Sequence, residues 1–326
     1  MKKALEAAWQ FQGLTFPNPA VGCSIIKDSS LIAVGAHKKA GEAHAEVNAL
    51  KQAYLNLTND KKINSCISSY DIHNYLQKNH NNIFNECEMY ITLEPCNHEG
   101  KTPACSSLIS CIKPKKVYIS ILDTNEEASG GVKTLKDSGI DVEYGLLEEE
   151  GKKLIEPFTR WNKENFVIYK WAQRLDGTVD GGLISDVESR KRVHAMRDVS
   201  DLLVIGGNTV RIDRPTLDAR LVNGKAPDIL IYSRRDDFDK ELPLFKIEGR
   251  KVFIEDNLDK ISKYKNILIE GGPALFEETK NIVDYYLCFL APKIGGDIKF
   301  SQEKQEFKIL DNRKLDNDLM IWMQGK

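Results

Sequence analysis

The sequence predicts an α/β protein of two domains, and three observations lead to this prediction. The chain has 326 residues, enough for two hydrophobic cores of ordinary size. Short apolar runs rich in β-branched residues alternate along it with longer segments of helical spacing. A charged helical segment, "LEEEGKKLIEPFTRWNKEN", joins two such series. We therefore expect one domain over residues 1–145 and a second over residues 146–326.

Composition and charge exclude several classes of protein. Hydrophobic residues make up 41% of the chain and charged residues 29%, which is typical of a globular protein. The formal net charge is −2, so no overall basic field attracts nucleic acid. The segment "MKKALEAAWQFQG" predicts an amphipathic helix and not a signal peptide, because Glu6 interrupts its apolar run. The longest apolar runs are too short to cross a bilayer. We expect a cytoplasmic protein without a membrane or nucleic-acid partner.

The first series predicts strands that are mostly followed by helices. Residues 20–37, "AVGCSIIKDSSLIAVGAH", indicate two strands joined by a polar turn. In "GEAHAEVNALKQAYL" the apolar spacing is helical, which places His44 and Glu46 at a helix start. Further strands are expected in "EMYITLEP", "KKVYISILD" and "IDVEYGL", and a further helix in "GVKTLKDSG". Thr102 and Pro103 indicate the cap and first position of another helix.

Residues 56–85 interrupt this series with a segment rich in Asn, Lys and Ser. One short helix is expected there, around "DIHNYLQ". The remaining composition predicts a surface insertion.

The second series predicts six strands and a long helix. The strands are expected in "FVIYKWA", "DLLVIGG", "DILIYS", "KVFIE", "NILIEGG" and "YYLCFLAP". The helix is expected in "SDVESRKRVHAMRDV", where Ser185 and Glu188 have the spacing of a capping box.

The stretch "LEPCNHEGKTPAC" raises the question of what Cys96 and Cys105 do. A disulfide, a structural zinc site, a catalytic zinc site and coincidence are the alternatives. Seven cysteines, an odd number, in a chain without an export signal favour reduced thiols. Together with His44 the two cysteines can supply three ligands to Zn²⁺ and leave the fourth position to water, which is the catalytic pattern. The metal makes hydroxide available near neutral pH.

Glu46 follows His44 closely and is well placed to move protons beside that water. His-x-Glu followed by Pro-Cys…Cys is the arrangement of zinc nucleobase deaminases, with the glutamate as general acid and base. His98 is a fourth ligand, a surface residue or a substrate contact, and we favour the last. Lys101, in a Gly-Lys-Thr loop before a helix, suits a phosphate group.

Eight residues separate the two cysteines. This loop, together with "PNPAVGCSI" and "HKKAGEAHAEVNAL", resembles the deaminase half of the bacterial bifunctional riboflavin-biosynthesis family. The resemblance implies a cytidine-deaminase-like three-layer domain that deaminates 2,5-diamino-6-(5-phosphoribosylamino)pyrimidin-4(3H)-one. The resemblance also implies that Glu46 is the proton shuttle. The zinc ligands are His44, Cys96 and Cys105, and the pyrimidine and phosphoribosyl groups contact Asn18, His37, His98, Lys101 and Thr102.

One segment of this half departs from the family. Its Asp-Pro-Asn-Pro segment is "DTNEEASGGV" here, which keeps Asp123 and Asn125 and lacks both prolines. We expect this to change the stiffness of the loop more than its chemistry.

The second half resembles the reductase half of the same family in "KWAQRLDG", "VIGGNTVRIDRPTLDAR" and "LIEGGPALFEE". The resemblance implies a dihydrofolate-reductase-like α/β domain that uses NADPH to reduce the ribosyl side chain. Glycines after the strands permit close approach of a dinucleotide to the backbone. The residues implied for NADPH are Ala172, Thr209, Asp213, Ser233, Gly271 and Gly272. Those implied for the substrate are Arg197, Leu217, Arg220 and Glu270.

No acid for the reduction is evident from the sequence, and the loop after "LDG" is short. Where the family has a longer loop with a tryptophan, this chain has "TVDGGLIS", with Leu183 at the tryptophan position. Arg174 stands where a serine is common. Contacts to both reductase ligands are expected to differ here.

Two other classes of function remain open. A deaminase of another nucleobase or of nucleic acid, with an inactive or different second domain, would share the zinc site. A non-enzymatic zinc scaffold would need a fourth protein ligand. For the family's enzyme we expect phosphorylated pyrimidines as small-molecule partners and a homo-oligomer, either a dimer or a tetramer.

Overall fold

The computed structural model describes residues 1–125, 127–301 and 303–326. It divides the chain into two compact units, Met1–Thr159 and Arg160–Lys326. The division falls near the end of helix α6 (Glu148–Trp161), whereas the sequence-based boundary lies just before that helix. Most of α6 belongs to the first unit: Leu154 is buried, and its carbonyl accepts a hydrogen bond of 2.7 Å from Gln12 Nε2.

The first unit is built on a five-stranded sheet of order β2-β1-β3-β4-β5. β1 is antiparallel to both neighbours, and the other two pairs are parallel. Every strand expected in this half is present. The strands are β1 (Gly22–Lys27), β2 (Ser30–Ala36), β3 (Cys87–Leu93), β4 (Lys116–Ile121) and β5 (Asp141–Tyr144). The helices before α6 are α1 (Lys2–Trp9), α2 (Ala45–Thr58), α3 (Ser69–Asn79), α4 (Cys105–Ile112) and α5 (Gly131–Asp137).

Two glycines show how the helices are layered on this sheet. A Cβ at Gly22 would lie 1.9 Å from the Ala4 carbonyl oxygen of α1, and one at Gly35 would lie 2.3 Å from the Ala49 nitrogen of α2. Gly35 pairs across the strands with Cys23, the neighbour of Gly22. Because successive strand residues point to opposite faces, α1 and α2 cover opposite faces of the sheet. This is the three-layer arrangement expected.

The insertion, residues 56–85, is more than a surface excursion. The helix expected around "DIHNYLQ" is α3, and its capping box joins Ser68 and Asp71. A 3₁₀ helix, Lys61–Ser65, precedes it. The surface prediction is wrong because Ile63, Leu76 and Phe84 are fully buried. These few apolar side chains are enough to pack the segment against the unit despite its polar composition.

The second unit is built on an eight-stranded sheet of order β12-β13-β11-β6-β10-β7-β8-β9. The six strands from β11 to β9 in that order are parallel, and β13 is antiparallel to both neighbours. The strands are β6 (Phe166–Arg174), β7 (Leu202–Gly206), β8 (Asp228–Tyr232), β9 (Val252–Glu255), β10 (Asn266–Glu270), β11 (Tyr285–Ala291), β12 (Phe307–Leu315) and β13 (Asp318–Gly325). The helices are α7 (Val187–Val199), α8 (Gly207–Asp213) and α9 (Pro273–Thr279). The sequence predicted the first six strands but not the C-terminal hairpin.

The capping box expected at Ser185 and Glu188 is wrong. Helix α7 begins one residue later, with Asp186 at its N-cap and no cap from that side chain. The Asp318 carboxylate of β13 accepts hydrogen bonds from the Asp186 N–H (2.7 Å) and the Ser189 hydroxyl (2.6 Å). A residue far along the chain therefore bonds the N-cap backbone and the Ser189 side chain of this helix. Within the described part of the chain, no helix has both the length and the apolar character needed to cross a membrane.

Candidate active sites

Three potential metal ligands converge in the first unit. His44 is the N-cap of α2, Cys96 follows β3, and Cys105 is the first residue of α4. His44 Nδ1 lies 3.5 Å from Cys96 Sγ and 3.4 Å from Cys105 Sγ, and the three ligand atoms are all within 4.8 Å of one another. Tetrahedral zinc with bonds of about 2.0–2.3 Å separates such ligands by roughly 3.5–3.8 Å. The donor set therefore fits zinc in both chemistry and spacing.

The surroundings of the ligands orient them. With Nδ1 facing the thiols, the other ring nitrogen of His44 lies 3.2 Å from the Thr102 hydroxyl and can donate to it. The Cys105 backbone N–H donates to Cys96 Sγ at 3.4 Å. The Cys105 thiol and the His44 ring lower the pKa of Cys96, which favours the thiolate that a metal needs. Hydrogen bonds of this kind fix the tautomer and direction of metal ligands.

The position of Thr102 explains one wrong prediction. Thr102 does not cap the helix: α4 begins at Cys105, and its N-cap, Ala104, makes no side-chain bond. The hydroxyl contacts His44 instead, which takes it away from the helix start.

Glu46 lies in the first turn of α2 and is only 4% exposed. Burial raises the pKa of Glu46 to about 7, and the nearby His44 opposes part of that rise. A carboxyl group with this pKa exchanges protons readily at neutral pH. Glu46 lines the same cavity as His44 and Cys96.

That cavity, the deaminase cavity, has a volume of about 270 Å³. Burial, with help from His44, lowers the pKa of His37 to about 4, so its ring is neutral at pH 7. Its Nδ1 can then donate to the Ala43 carbonyl (3.2 Å), while its Nε2 accepts from Asn18 Nδ2 (3.2 Å). All five residues implied for the deaminase substrate line the cavity: Asn18, His37, His98, Lys101 and Thr102.

His98 is not part of the ligand cluster. Among the described residues, the group of side chains that could hold a metal here consists of His44, Cys96 and Cys105. Three protein ligands beside a cavity are the pattern of a catalytic zinc site and not of a closed structural one. All seven cysteines are free thiols, so the disulfide alternative has no support.

Glu94, to which sequence reasoning gave no role, holds the far wall of the cavity. Its buried carboxylate accepts hydrogen bonds from the backbone N–H groups of Asp123 (3.1 Å), Gly130 (3.2 Å) and Val132 (2.9 Å). The loop thus held places Asp123 and Asn125 on the cavity. The sequence signal for this role was the position of Glu94, an acidic residue directly after the apolar strand β3.

The insertion reaches this site as well. Tyr70 of α3 donates its hydroxyl to the Gly100 carbonyl at 3.3 Å. Gly100 belongs to the loop between the two cysteines, beside Lys101. The segment expected to be a surface excursion therefore contacts the loop between Cys96 and Cys105.

The second unit contains a larger cavity, the reductase cavity, of about 880 Å³. It lies at the carboxyl ends of β6, β10, β7 and β8, the usual place for ligands in parallel α/β sheets. All six residues implied for NADPH line it: Ala172, Thr209, Asp213, Ser233, Gly271 and Gly272. Of the four implied for the substrate, the lining includes Arg197, Leu217 and Glu270.

Arg220 is placed differently from the expectation. It is absent from the described lining of the reductase cavity, and its side chain is 61% exposed. Its guanidinium pairs with Asp218 at 3.0 Å.

A buried charge cluster occupies the reductase cavity between β6 and β10. Arg197 holds Glu270 through two hydrogen bonds, 2.6 Å from Nε and 2.9 Å from Nη2, and Lys170 Nζ lies 3.5 Å from the same carboxylate. Although burial opposes it, Arg197 and Lys170 lower the pKa of Glu270 to about 2. Arg197 is thus not on a solvated helix face. Its pairing leaves the cluster with one more positive than negative group, which suits an anionic ligand.

Lys170 was missed by sequence reasoning. Burial lowers the pKa of its ammonium group, and Glu270 offsets part of that effect. A lysine inside the apolar strand "FVIYKWA" was the available signal, because an unpaired lysine is costly in a buried strand. Arg234 and Arg235, after β8, were also missed and line the opposite end of the cavity.

The two glycines after β10 have different roles. A Cβ at Gly271 would lie 2.7 Å from Leu275 Cδ2 and 3.0 Å from the Tyr169 hydroxyl, so packing requires a glycine there. A Cβ at Gly272 would meet no atom within 4 Å. Gly272 therefore opens onto the cavity, and the space beside its backbone fits a cofactor.

The folds and sites define two classes of enzyme in one chain. A zinc donor set with a buried carboxylate on a small cavity defines the first unit as a zinc-dependent deaminase. A large cationic cavity at the carboxyl edge of a mostly parallel sheet marks the second unit as a nucleotide-dependent enzyme.

Comparison with known proteins narrows these classes to one family. The cytidine and deoxycytidylate deaminase zinc-binding region matches residues 1–121, and the RibD C-terminal domain matches residues 165–321. The riboflavin biosynthesis protein RibD of Aquifex aeolicus is 30% identical over 99% of this chain and 97% of its own. The RibD protein of Bacillus amyloliquefaciens is 32% identical over 91% of this chain and 85% of its own. A similar solved structure comes from Thermotoga maritima and is a diaminohydroxyphosphoribosylaminopyrimidine deaminase/5-amino-6-(5-phosphoribosylamino)uracil reductase. It is 29% identical, with a TM-score of 0.66, and the match covers 100% of this chain and 97% of that one.

The chain belongs to the RibD family of riboflavin biosynthesis proteins. The predicted α/β fold class is confirmed, with a cytidine-deaminase-like domain followed by a RibD C-terminal domain, and the likeness of the latter to dihydrofolate reductase stays a prediction. The family's two activities and zinc as a cofactor are confirmed as well, and NADPH stays a prediction. The roles of individual residues stay predictions.

Replacing Cys105 by Ser should remove zinc, because two strong ligands remain where three are needed. Zinc measured per chain should fall from about one to near zero, and deamination should fall with it. Cys111→Ser, on the exposed part of the same helix, is the matched control and should keep its zinc. Unchanged zinc in Cys105→Ser would show that Cys105 is not a ligand.

Substituting Gly272 should weaken NADPH binding in proportion to side-chain size. Its backbone, with φ of −99°, accepts other residues, so the expected effect is obstruction of the cavity and not unfolding. Gly272→Ala should raise the Kd for NADPH several-fold and Gly272→Leu by about tenfold or more, measured by titration calorimetry. Zinc content serves as the control. Equal affinity in all three proteins would exclude close approach of the cofactor at Gly272.

Proposed function

We propose that this chain deaminates 2,5-diamino-6-(5-phosphoribosylamino)pyrimidin-4(3H)-one and then reduces the ribosyl side chain of the product to ribityl with NADPH. The observation that carries the proposal is the pairing of the His44–Cys96–Cys105 donor set with buried Glu46 on one cavity. The Thermotoga relative, which spans the whole chain, has these two activities in its name. A homo-oligomer and a cytoplasmic location remain predictions from the sequence.

In the deaminase cavity, zinc when bound supplies a Lewis acid that lowers the pKa of water. Glu46 is the group that can take a proton from that water and return protons to the ring and to the departing amine. Its burial keeps both protonation states accessible near pH 7. The neutral pair of Asn18 and His37 can hydrogen-bond the pyrimidine, and the exposed ammonium of Lys101 suits the phosphate.

In the reductase cavity, NADPH when bound supplies a hydride. The substrate must first open its ribose ring, which breaks the bond between C1′ and the ring oxygen and makes C1′ electrophilic. The ring oxygen needs a proton as that bond breaks, and we assign this role to Lys170. Its burial lowers the pKa of the ammonium group and makes it a better acid, while Glu270 holds it at the cavity wall. Arg197, locked by Glu270, contributes charge toward the anionic substrate.

Replacing Glu46 by Gln should abolish deamination and keep zinc, because proton transfer is removed and ligation is not. A fall in kcat of about 10²–10⁴-fold or more is expected for one group that serves several transfers. Deaminated product measured without NADPH reports the rate, and zinc content with reductase turnover reports the fold. Loss of zinc in this variant would instead make Glu46 a support of the metal site.

Replacing Lys170 by Met should slow reduction and leave NADPH binding near the parent value. The change keeps a long side chain and removes the acid, and Glu270 stays paired with Arg197, so the cluster remains balanced. A fall in reductase kcat of about 10²–10⁴-fold is expected. Lys225→Met, on the exposed surface of the same unit, is the control. Parent-like reduction in Lys170→Met would exclude the lysine as the acid.

Product analysis with and without NADPH separates this function from the alternatives. The parent chain should convert the diaminopyrimidine phosphate to the aminouracil phosphate without NADPH, and to its ribityl form with NADPH. Deamination without reduction would support a deaminase with an inactive second domain. Zinc binding without any turnover would support a scaffold.

A further inference from the structure

The short loop, residues 175–185, is clasped to a second segment, residues 293–300, by the carboxylate of Asp180. This carboxylate accepts hydrogen bonds from the backbone N–H of Asp297 (3.0 and 3.1 Å to its two oxygens) and of Ile298 (3.0 Å). Hydrogen bonds from N–H groups to an ionised carboxylate are about twice as strong as neutral ones. Gly296 makes the approach possible, because a Cβ there would lie 2.6 Å from Asp180 Oδ1.

A second acid, Asp176, holds the beginning of the short loop to the same segment. Its carboxylate accepts from the Gly295 N–H at 2.6 Å, and the Thr178 hydroxyl lies 2.7 Å from it. Backbone bonds complete the contact: the Val179 N–H donates to the Ile298 carbonyl at 2.8 Å. The loop is therefore pinned at both ends of the contact although it is short.

The clasp forms part of the wall of the reductase cavity. The residues that line the cavity from these two segments are Val179, Asp180, Gly182, Leu183, Ile184, Ser185 and Ile298. Leu183 is 66% exposed, so packing does not hold its side chain, whereas the next residue, Ile184, is buried and its carbonyl accepts a hydrogen bond from Lys293 Nζ. The carboxylate bonds of Asp180 fix the middle of the loop, and the Ile184 contacts fix its end.

The clasp lies at the end of the reductase cavity that β6 forms. The short loop continues directly from β6, the strand that carries Lys170, and the Arg174 N–H of β6 bonds to the Thr178 carbonyl at 3.0 Å. Ser233 and Arg234 follow β8, three strands away in the order β6-β10-β7-β8. At about 4.8 Å per strand, that end lies roughly 14 Å from β6.

We propose that Asp180 is a positioning residue of the reductase, which shapes the substrate side of the cavity by clasping the short loop to residues 293–300. This inference rests on the proposed reductase function. Of the residues implied for NADPH, Thr209, Asp213 and Ser233 follow β7 and β8, away from the clasp, whereas Ala172 lies on β6. Loss of Asp180 should therefore impair substrate use much more than cofactor binding.

The test compares Asp180→Ala, Asp180→Asn and a control, Asp256→Ala, an exposed acid outside the described lining of the cavity. In Asp180→Ala, kcat/KM for the aminouracil phosphate should fall at least tenfold, while the Kd for NADPH stays within twofold. In Asp180→Asn, kcat/KM should fall less, because the uncharged amide oxygen still accepts hydrogen bonds from the N–H groups. Deamination should be unchanged in all three, and retained NADPH binding reports that the second unit of each variant is folded.

Hydrogen exchange gives a readout that does not depend on turnover. The amides of Asp297 and Ile298 should exchange faster in Asp180→Ala than in the parent chain. Parent-like kcat/KM, or parent-like exchange at these amides, would overturn the proposal. An equal loss of NADPH affinity would also overturn it, since the clasp would then not act at the substrate side. A parent chain that binds no NADPH would refute the reductase function itself, and the exchange rates would still decide whether the clasp exists.

Discussion

The zinc site depends on two places where backbone packs directly against backbone. At Gly35, a Cβ would lie 2.6 Å from the Ala45 carbonyl oxygen, so only glycine lets the first turn of α2 lie this close to β2. At Gly131, a Cβ would lie 2.0 Å from the Pro95 carbonyl oxygen, beside Cys96. The first contact sets the position of His44 and Glu46, and the second sets the strand end that carries Cys96. Ligands distant in sequence reach a common centre because these two contacts leave little freedom.

The second unit solves a different problem, which is to keep charged groups largely buried at the wall of a cavity. Glu270 is fully paired, and two cations share it, so each buried group has a partner while the cluster keeps an excess positive charge. Burying such a cluster carries a desolvation cost, so its presence is weak evidence for a purely stabilising role. Its position at the sheet edge, where ligands of parallel sheets bind, is consistent with a functional role.

Much of both sites could be predicted from the sequence because their signals are local. His-x-Glu at a helix start, cysteines after a strand, and paired glycines before a proline lie within short segments. The misses share a cause, which is that they depend on residues distant in the chain. Asp318 of β13 bonds the N-cap backbone of α7, and the Thr102 hydroxyl contacts His44 and not the start of α4. Lys170 gains its chemistry only when Glu270 is placed beside it.

The edge strand β12 and the insertion were hidden by polar composition, whereas β13 carries an apolar run, "LMIWM", that the sequence interpretation overlooked. β12 is a sheet edge with largely exposed or half-exposed side chains, so it shows no apolar run. In the insertion, buried Ile63, Leu76 and Phe84 are too widely spaced among polar residues to reveal a packed segment.

Glu94 has a consequence for how this protein can evolve. It holds the loop after β4 by peptide N–H groups, which every residue except proline offers, and makes no demand on the loop's side chains. Positions of this loop before Gly130, whose φ of 97° favours glycine, can therefore change their side chains without loss of the anchor, and the segment after Asp123 needs no proline for it. The anchor itself is the opposite: a single-base change from Glu to Gln would turn an amide toward donors. Sequence drift should accumulate in the loop and be excluded from the residue that grips it.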